Sequence, residues 1–598
     1  MKKGGAQFLK SEEASAGKRR SWRSFGLIAP YFGRYAGRVI FGFTTLLIVD
    51  LLQLFVPRII KYAVDALQEE RATPALLLEY AGYVVLLAVI IAGLRFLWRN
   101  LLLGFSRLLE THLRERLFAH ILTLDRAFFQ RKTPGEIMAL ATNDLSSVQL
   151  AGGMGLVAAV DAVFMGLAAV AFMAFINLKL TLLALVPMPV LALVTHILSV
   201  KLHGRFKKVQ EQFSRLTEFG RSAFSSIRLI KAYNQEELQA YRFDLMGETY
   251  VRDNIRLAMI YGALFPMSGF IGSASMLLTL VYGGRMAIVG TITAGDFVAV
   301  ISYLFLMTWP MMAVGWVADL FQRGMTSLGR IEALLLEKPG LTDPSGEDQA
   351  AAPVRGDIRI TGLSFSYPGQ REPALKGIDL EVASGKFIGV VGRTGAGKTA
   401  LCHLLARFYP VEDGTLFFDD MDVNDLPLST VRGTLSYVPQ DVVLFSETIA
   451  FNISLGRPSA TQEEIEKAAR AAAIHDEIVA MKEGYETRIG EKGVKLSGGQ
   501  RQRLAIARAL LLDRPVIIID DGLSAVDMET EHAIIHSIAY YLKDRTCIVV
   551  SHRVAPLAEA NEILVMEAGR IVARGSHSEL LENSSFYATI YRQQTSGA

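Results

Sequence analysis

Residues Phe387 to Thr399 read FIGVVGRTGAGKT. The first five are a β-branched, apolar run of the kind that forms a buried strand. The segment Gly392-Arg393-Thr394-Gly395-Ala396-Gly397-Lys398-Thr399 follows, and from Ala400 the pattern turns helical (ALCHLLARF). Strand, glycine-rich loop and helix in this order predict a P-loop. Its glycines allow backbone N–H groups to turn inward around phosphate oxygens at a helix N-terminus, where the peptide dipoles also favour an anion. Lys398 supplies a point charge for the β/γ-phosphates, and the Thr399 hydroxyl is a ligand for Mg²⁺.

Downstream, Val516 to Asp520 (VIIID) is a second buried-strand run, ending in a carboxylate suited to holding that metal from the second shell. Between the two strands stands Leu496-Ser497-Gly498-Gly499-Gln500, opening an amphipathic helix (RQRLAIARALL). Ser497, Gly498, Gly499 and Gln500 at a helix start form another anion-binding geometry. A second phosphate site remote from the P-loop makes sense if it serves a nucleotide held by a second copy of the domain.

The residues before this half are of a different kind. Of the 598 residues, 51% are hydrophobic, and the mean hydropathy of +0.31 is high for a soluble protein. Six apolar stretches reach the roughly 20 residues that cross a bilayer: Val39–Val56, Leu77–Trp98, Leu150–Phe175, Leu180–Val200, Leu257–Tyr282 and Thr293–Val317. Residues 99–149 and 201–256 are long, charged and rich in Arg and Lys, whereas the alternate connections are short. Positive residues mark the cytoplasmic side, so both long segments and both termini are expected inside. Apolar spacings of three and four in LLETHLRERLFAHIL predict that the spans continue as helical rods. Trp22 to Tyr35 mixes aromatics with Arg, as an interfacial helix does.

The net charge is +3, with no basic block interleaved with aromatics, which argues against a nucleic-acid partner. Two cysteines, Cys402 and Cys547, exclude a disulfide framework. The polar N-terminus lacks the apolar core of a signal peptide. A hydrophilic stretch, residues 337–355, reads as a linker, giving a membrane all-α domain over 1–336 and an α/β P-loop NTPase domain over 356–598.

Taken together, LSGGQ, the P-loop and the VIIID strand at these spacings resemble an ATP-binding-cassette ATPase. With six preceding spans the chain is similar to a half-size, multidrug-type exporter, from about Trp22 to Gln593. The resemblance implies ATP and Mg²⁺ as cofactors, an inner-membrane location and a second half-transporter as partner. It also implies roles for individual residues: Tyr367 (FSYPG) stacks on adenine, Gln440 (YVPQD) reaches Mg²⁺, and His552 (VVSHR) contacts the γ-phosphate. Thr487–Gly493 resembles a loop that meets the coupling helices, and Ser524–Asp527 the D-loop. FFQRKTPGEIMALATNDLSSV and IRLIKAYNQEE resemble the two intracellular loops.

One position departs from the family pattern. Where hydrolytic members carry Glu after the strand aspartate, this chain has Asp521. The carboxylate is withdrawn by about 1.5 Å, and an ångström of misplacement can cost about 10²-fold. An intact signature beside a weakened catalytic carboxylate predicts the weak-site subunit of a heterodimer. A homodimeric lipid flippase and a nucleotide-gated channel or regulator are the competing readings. In the spans, Asp50, Asp161 and Asp319 are costly unless paired or facing water, with Arg95 and His196 as the main basic counterparts. Asp50 and Asp161, with Phe55, Phe164, Trp309 and Trp316 nearby, predict either a cavity for lipophilic cations or structural pairing.

Overall fold

In a computed structural model, residues 24–343, 355–490, 496–522, 530–531, 534–537 and 545–595 are described. They divide into two compact units, residues up to 122 together with 134–337, and residues 123–133 together with 338 onward.

The first unit is helical. A short helix, Ala29–Arg34, precedes α1 (Ala36–Gln68). α2 (Pro74–Thr123), α3 (Pro134–Ile176), α4 (Leu178–Ser225), α5 (Glu236–Leu278) and α6 (Ala294–Leu335) follow. Among the described residues six helices are long and apolar enough to cross a membrane, the fifth over Gly269–Ile288, where α5 runs on through a π-turn at Thr279–Gly283. At 1.5 Å per residue the 50 residues of α2 extend about 75 Å, far beyond the hydrocarbon thickness.

Packing joins α1, α3 and α6. Leu54, Met165, Ala169, Met173, Ala299, Val300 and Tyr303 share one core with residues of α4 and α5. The Tyr303 hydroxyl donates to the Leu54 carbonyl (2.9 Å). Beside the first span, Leu46 and Val49 pack against Ile91, Trp98 and Leu102 of α2. The start of α6 is tied to the end of α1: Gly295 N–H donates to Asp65 Oδ1 (2.8 Å), and Lys61 pairs with Asp296. A Cβ on Gly295 would stand 2.3 Å from the Lys61 carbonyl, so the close approach needs glycine. At the other end of α6, Arg330 and Ser327 meet Asp144 of α3, at 3.0 and 2.7 Å.

The second unit is α/β. A six-stranded sheet has the order β10-β9-β3-β8-β7-β6, with β3 (Phe387–Gly392), β6 (Leu435–Val438), β7 (Val516–Asp520) and β8 (Thr546–Val550) parallel to their neighbours. β9 (Glu562–Glu567) is parallel to β3, and β10 (Arg570–Gly575) closes the edge antiparallel. β7 and β8 are buried at every position, as a strand covered on both faces must be. A smaller antiparallel sheet, β2-β1-β4-β5, is built on β1 (Ile358–Phe365) and β2 (Leu375–Val382), with β4 (Leu416–Phe418) and β5 (Met421–Asp422). Helices α7 (Lys398–Leu405), α8 (Gly498–Leu511) and α9 (Ser585–Thr595) are the ones that bear on the site.

The short helix Arg126–Arg131 packs in this second unit, although the sequence reading assigns it to the membrane domain. Asp125 caps it, accepting from Phe128 N–H (3.1 Å) and, through its other oxygen, from Gly340 N–H (2.6 Å). Residues 1–23, which include Trp22, and 344–354 of the linker lie outside the described residues.

Candidate functional site

The loop between β3 and α7 closes on itself through glycine. Gly395 and Gly397 have φ of +83° and +99°, which side chains with a Cβ rarely adopt. A Cβ on Gly397 would stand 2.6 Å from the Ala374 carbonyl, and one on Gly392 2.3 Å from the Met566 carbonyl. Ala396 and Ala400 are buried beneath the loop, while Arg393, Thr394 and Gly395 form its exposed tip. The Lys398 ammonium folds back, donating to the carbonyls of Gly392 (2.7 Å) and Arg393 (3.1 Å). Burial lowers its pKa, against the opposing pull of Asp521 and Asp520. A partly desolvated ammonium held by two neutral carbonyls gains when an anion enters the loop.

The parallel pairing of β3, β8 and β7 brings Asp520 and Asp521 to the same edge as this loop. The Thr399 hydroxyl donates to Asp520 Oδ1 (3.2 Å) and the Tyr437 hydroxyl to Oδ2 (3.3 Å). Burial lifts the Asp520 carboxyl above its usual range, while those two hydroxyls hold it down. Asp521 has a left-handed φ of +49° and donates its N–H to the Val550 carbonyl (3.0 Å). Its carboxylate accepts from Gln440 Nε2 at 3.4 Å. Thr399, Asp520 and Gln440 therefore stand within one short chain of contacts. Among the described residues no group of three or more His, Cys, Asp or Glu side chains is placed to hold a metal. That donor set fits Mg²⁺, which takes one or two carboxylates and completes its shell with phosphate and water.

Tyr367 is half-buried, with its hydroxyl 3.3 Å from His403 Nδ1. Burial, then Tyr409, pushes its pKa up to about 12, so it stays neutral. His552 is exposed after β8, and Gln594 of α9 fixes its backbone: Gln594 Nε2 donates to the His552 carbonyl and Val554 N–H donates to Gln594 Oε1, both at 2.8 Å. Ser497 caps α8. Its hydroxyl accepts from Gln500 N–H (3.2 Å), and Gln500 Oε1 accepts in return from Ser497 N–H (2.9 Å). The first-turn N–H groups of Gly498 and Gly499 lie beside this cap. Among the described residues no hydrogen bond joins this turn to the P-loop. Ser524–Asp527 and the last three residues of Thr487–Gly493 fall outside the described residues.

Sequence reasoning missed Tyr437, His403 and Gln594. No spacing rule links Tyr437 to Asp520, and only the sheet order brings its hydroxyl to the carboxylate; His403, on α7, meets the Tyr437 ring instead.

In the membrane unit Asp50 is 1% exposed, and its Oδ2 has no hydrogen-bond partner. It faces Asp161 and is near Arg95. Arg95 instead donates to Gln53 Oε1 (2.8 Å), and Asp161 accepts from Trp309 Nε1 (3.0 Å). Of the two readings the sequence left open for these carboxylates, structural pairing with Arg95 is not seen for Asp50 among the described residues: it lies beside Asp161, which Trp309 holds. Asp50 itself is closed off from solvent. Asp319 pairs with Arg323 one turn along the same helix. The His196 side chain lies outside the described residues.

This geometry defines a class: a phosphate-binding ATPase domain with a signature helix, on one chain with six membrane-crossing helices. The chain belongs to the ATP-binding-cassette transporters, with residues 39–311 matching the ABC transporter transmembrane region and 375–524 the ABC transporter domain. It is 38% identical to the multidrug resistance-like ATP-binding protein MdlA of Escherichia coli (strain K12), over 96% of this chain and 97% of that one. It is 36% identical to the probable multidrug resistance ABC transporter ATP-binding/permease protein YheI of Bacillus subtilis (strain 168), over 94% and 96%. An ATP-dependent lipid A-core flippase of Chromobacterium violaceum shares 34% identity over 82% and 83%. The structure of a bacterial Atm1-family ABC exporter with ATP bound superposes with a TM-score of 0.78 at 27% identity, covering 93% of this chain and 99% of that one. The protein is an ATP-driven exporter, multi-pass in the inner membrane, with its ATPase domain in the cytoplasm.

Proposed function

We propose that this chain is the weak-site half of a heterodimeric exporter that moves amphipathic or lipophilic compounds out of the cytosol or inner leaflet. The observation that carries this reading is the pairing of Asp521, where a hydrolytic member has Glu, with an intact Ser497 cap and signature turn. The Asp521 carboxylate is short, and its backbone is in the left-handed region, bound to β8. Nothing in that arrangement brings the carboxylate forward by the missing methylene. Among the described residues the signature turn makes no hydrogen bond to the chain's own P-loop, which supports its serving a nucleotide on a partner.

In this reading the P-loop residues Gly392 to Ala400 and Tyr367 bind ATP. Thr399 and Asp520 hold Mg²⁺, with Gln440 beside them, and His552 faces the γ-phosphate. When bound, Mg²⁺ neutralises phosphate charge. Asp521 orients water poorly, so this site turns over slowly. Ser497, Gly498, Gly499 and Gln500 complete the partner's site. In the membrane unit Asp161 and Trp309, with Asp50 behind them, line the substrate path, and the Trp309–Trp316 pair (6.3 Å between rings) adds aromatic surface.

The test is ATPase activity of the reconstituted pair. Asp521→Asn is expected to lower total turnover less than twofold, and Ser497→Arg to lower it tenfold or more. Abolition of hydrolysis by Asp521→Asn with a silent Ser497→Arg reverses the assignment.

A further inference from the structure

Asp520 is held from two sides. Thr399 belongs to the P-loop, but Tyr437 comes from β6, on the far side of β7. A carboxylate only accepts, so both hydroxyls donate, one to each oxygen, and together they set its rotation. The Tyr437 ring is itself fixed. Its backbone is in register with Ile518, and its ring meets the Phe408 ring edge-on (5.4 Å, 82°) and the His403 ring (6.4 Å). Phe408 in turn carries the Arg126 guanidinium over its face at 5.4 Å. Arg126 opens the short capped helix that follows α2. His403 packs against Phe408 as well (5.7 Å), and burial, then Arg126, holds its pKa down at about 4. It is therefore a neutral ring in this stack at neutral pH.

We propose that Tyr437 is a positioning residue for Asp520, and that Arg126, through Phe408, sets where the Tyr437 hydroxyl stands. The segment between α2 and α3 then bears on the metal-site carboxylate through this ring stack. This rests on the reading of Asp520 as the holder of Mg²⁺. Outer partners of a metal-site carboxylate typically change metal affinity 10–100-fold.

The experiment uses the full-length transporter with its partner in nanodiscs. Mn²⁺ binding is followed by electron paramagnetic resonance with a non-hydrolysable ATP analogue, and metal-free affinity for a fluorescent ATP analogue is measured in chelator. Tyr437→Phe removes only the hydroxyl. It is expected to weaken Mn²⁺ binding about tenfold and leave metal-free nucleotide affinity unchanged. Arg126→Ala is expected to weaken Mn²⁺ binding in the same direction by about threefold. Mn²⁺ affinity within twofold of wild type in Tyr437→Phe overturns the proposal, as does a parallel loss of metal-free nucleotide binding. Wild-type affinity in Arg126→Ala overturns its second half. Asp520→Asn separates the premise: if it leaves Mn²⁺ binding intact, the metal-site reading fails. If it weakens binding while Tyr437→Phe does not, only the positioning role fails.

Discussion

Lys398 shows how the P-loop stores its readiness for an anion. Lys398 is 6% exposed, and two loop carbonyls, Gly392 and Arg393, hold its ammonium and offset part of the cost of burying the cation. An incoming phosphate exchanges neutral acceptors for a charged one, a stronger bond. Lys398→Ala removes the only ammonium in the loop and is expected to weaken ATP binding at least tenfold, measured by equilibrium binding of a fluorescent analogue. Unchanged binding together with unchanged transport contradicts the P-loop role. Of the two carbonyls released, that of Arg393 belongs to the exposed tip of the loop and can take water, whereas that of Gly392 is buried.

Among the elements, the short helix Arg126–Arg131 leans on one side chain, that of Asp125. Six residues are too few for a helix to persist on propensity. Asp125 supplies a cap to Phe128 N–H and at the same time accepts from Gly340 N–H. Asp125→Ala is expected to cost about 1–2 kcal/mol locally, the usual worth of a cap plus a second bond. Hydrogen exchange of the Phe128 and Gly340 amides checks this. Protection is expected to fall at those two positions and to stay unchanged in β7 and β8. If exchange of both amides matches wild type, the helix is held by packing alone.

At the scale of the whole molecule, the question is what the six helices carry. Asp50 is sealed between helices, whereas Asp161 and Trp309 remain partly exposed and joined by a hydrogen bond. An accessible carboxylate beside two indoles attracts amphipathic cations. Asp161→Asn is expected to reduce transport of a cationic dye at least fivefold in proteoliposomes and to change transport of its neutral analogue by less than twofold. Equal loss for both, accompanied by a lower melting temperature, means that the carboxylate is structural. Asp50→Asn serves as the contrast: a closed-off group is expected to affect stability and both substrates alike.

Much of this protein was legible in its residues. A P-loop needs glycine where the backbone turns left-handed, and Gly395 and Gly397 are at those positions. Membrane spans must be apolar for about 20 residues, and all six were recognisable by that rule. A helix start at Ser497 was legible from Ser and two glycines before an amphipathic run, and the structure adds the reciprocal cap with Gln500. These are local constraints, each carried by neighbours in sequence. Pairings between distant segments were not legible. Nothing in the sequence couples Tyr437 to Asp520, because β6 and β7 are adjacent only in the sheet. The sequence also left open whether Asp50 faces a cavity or pairs with Arg95, and helix packing turned Arg95 to Gln53 and put Asp161 beside Asp50. Likewise the helix at Arg126 lies in the chain between two spans but packs with the ATPase unit. Spacing along a chain decides which side chains share a turn of helix or a face of a strand. Which side chains meet across elements depends on sheet order and helix rotation, and those are settled only when the whole core closes.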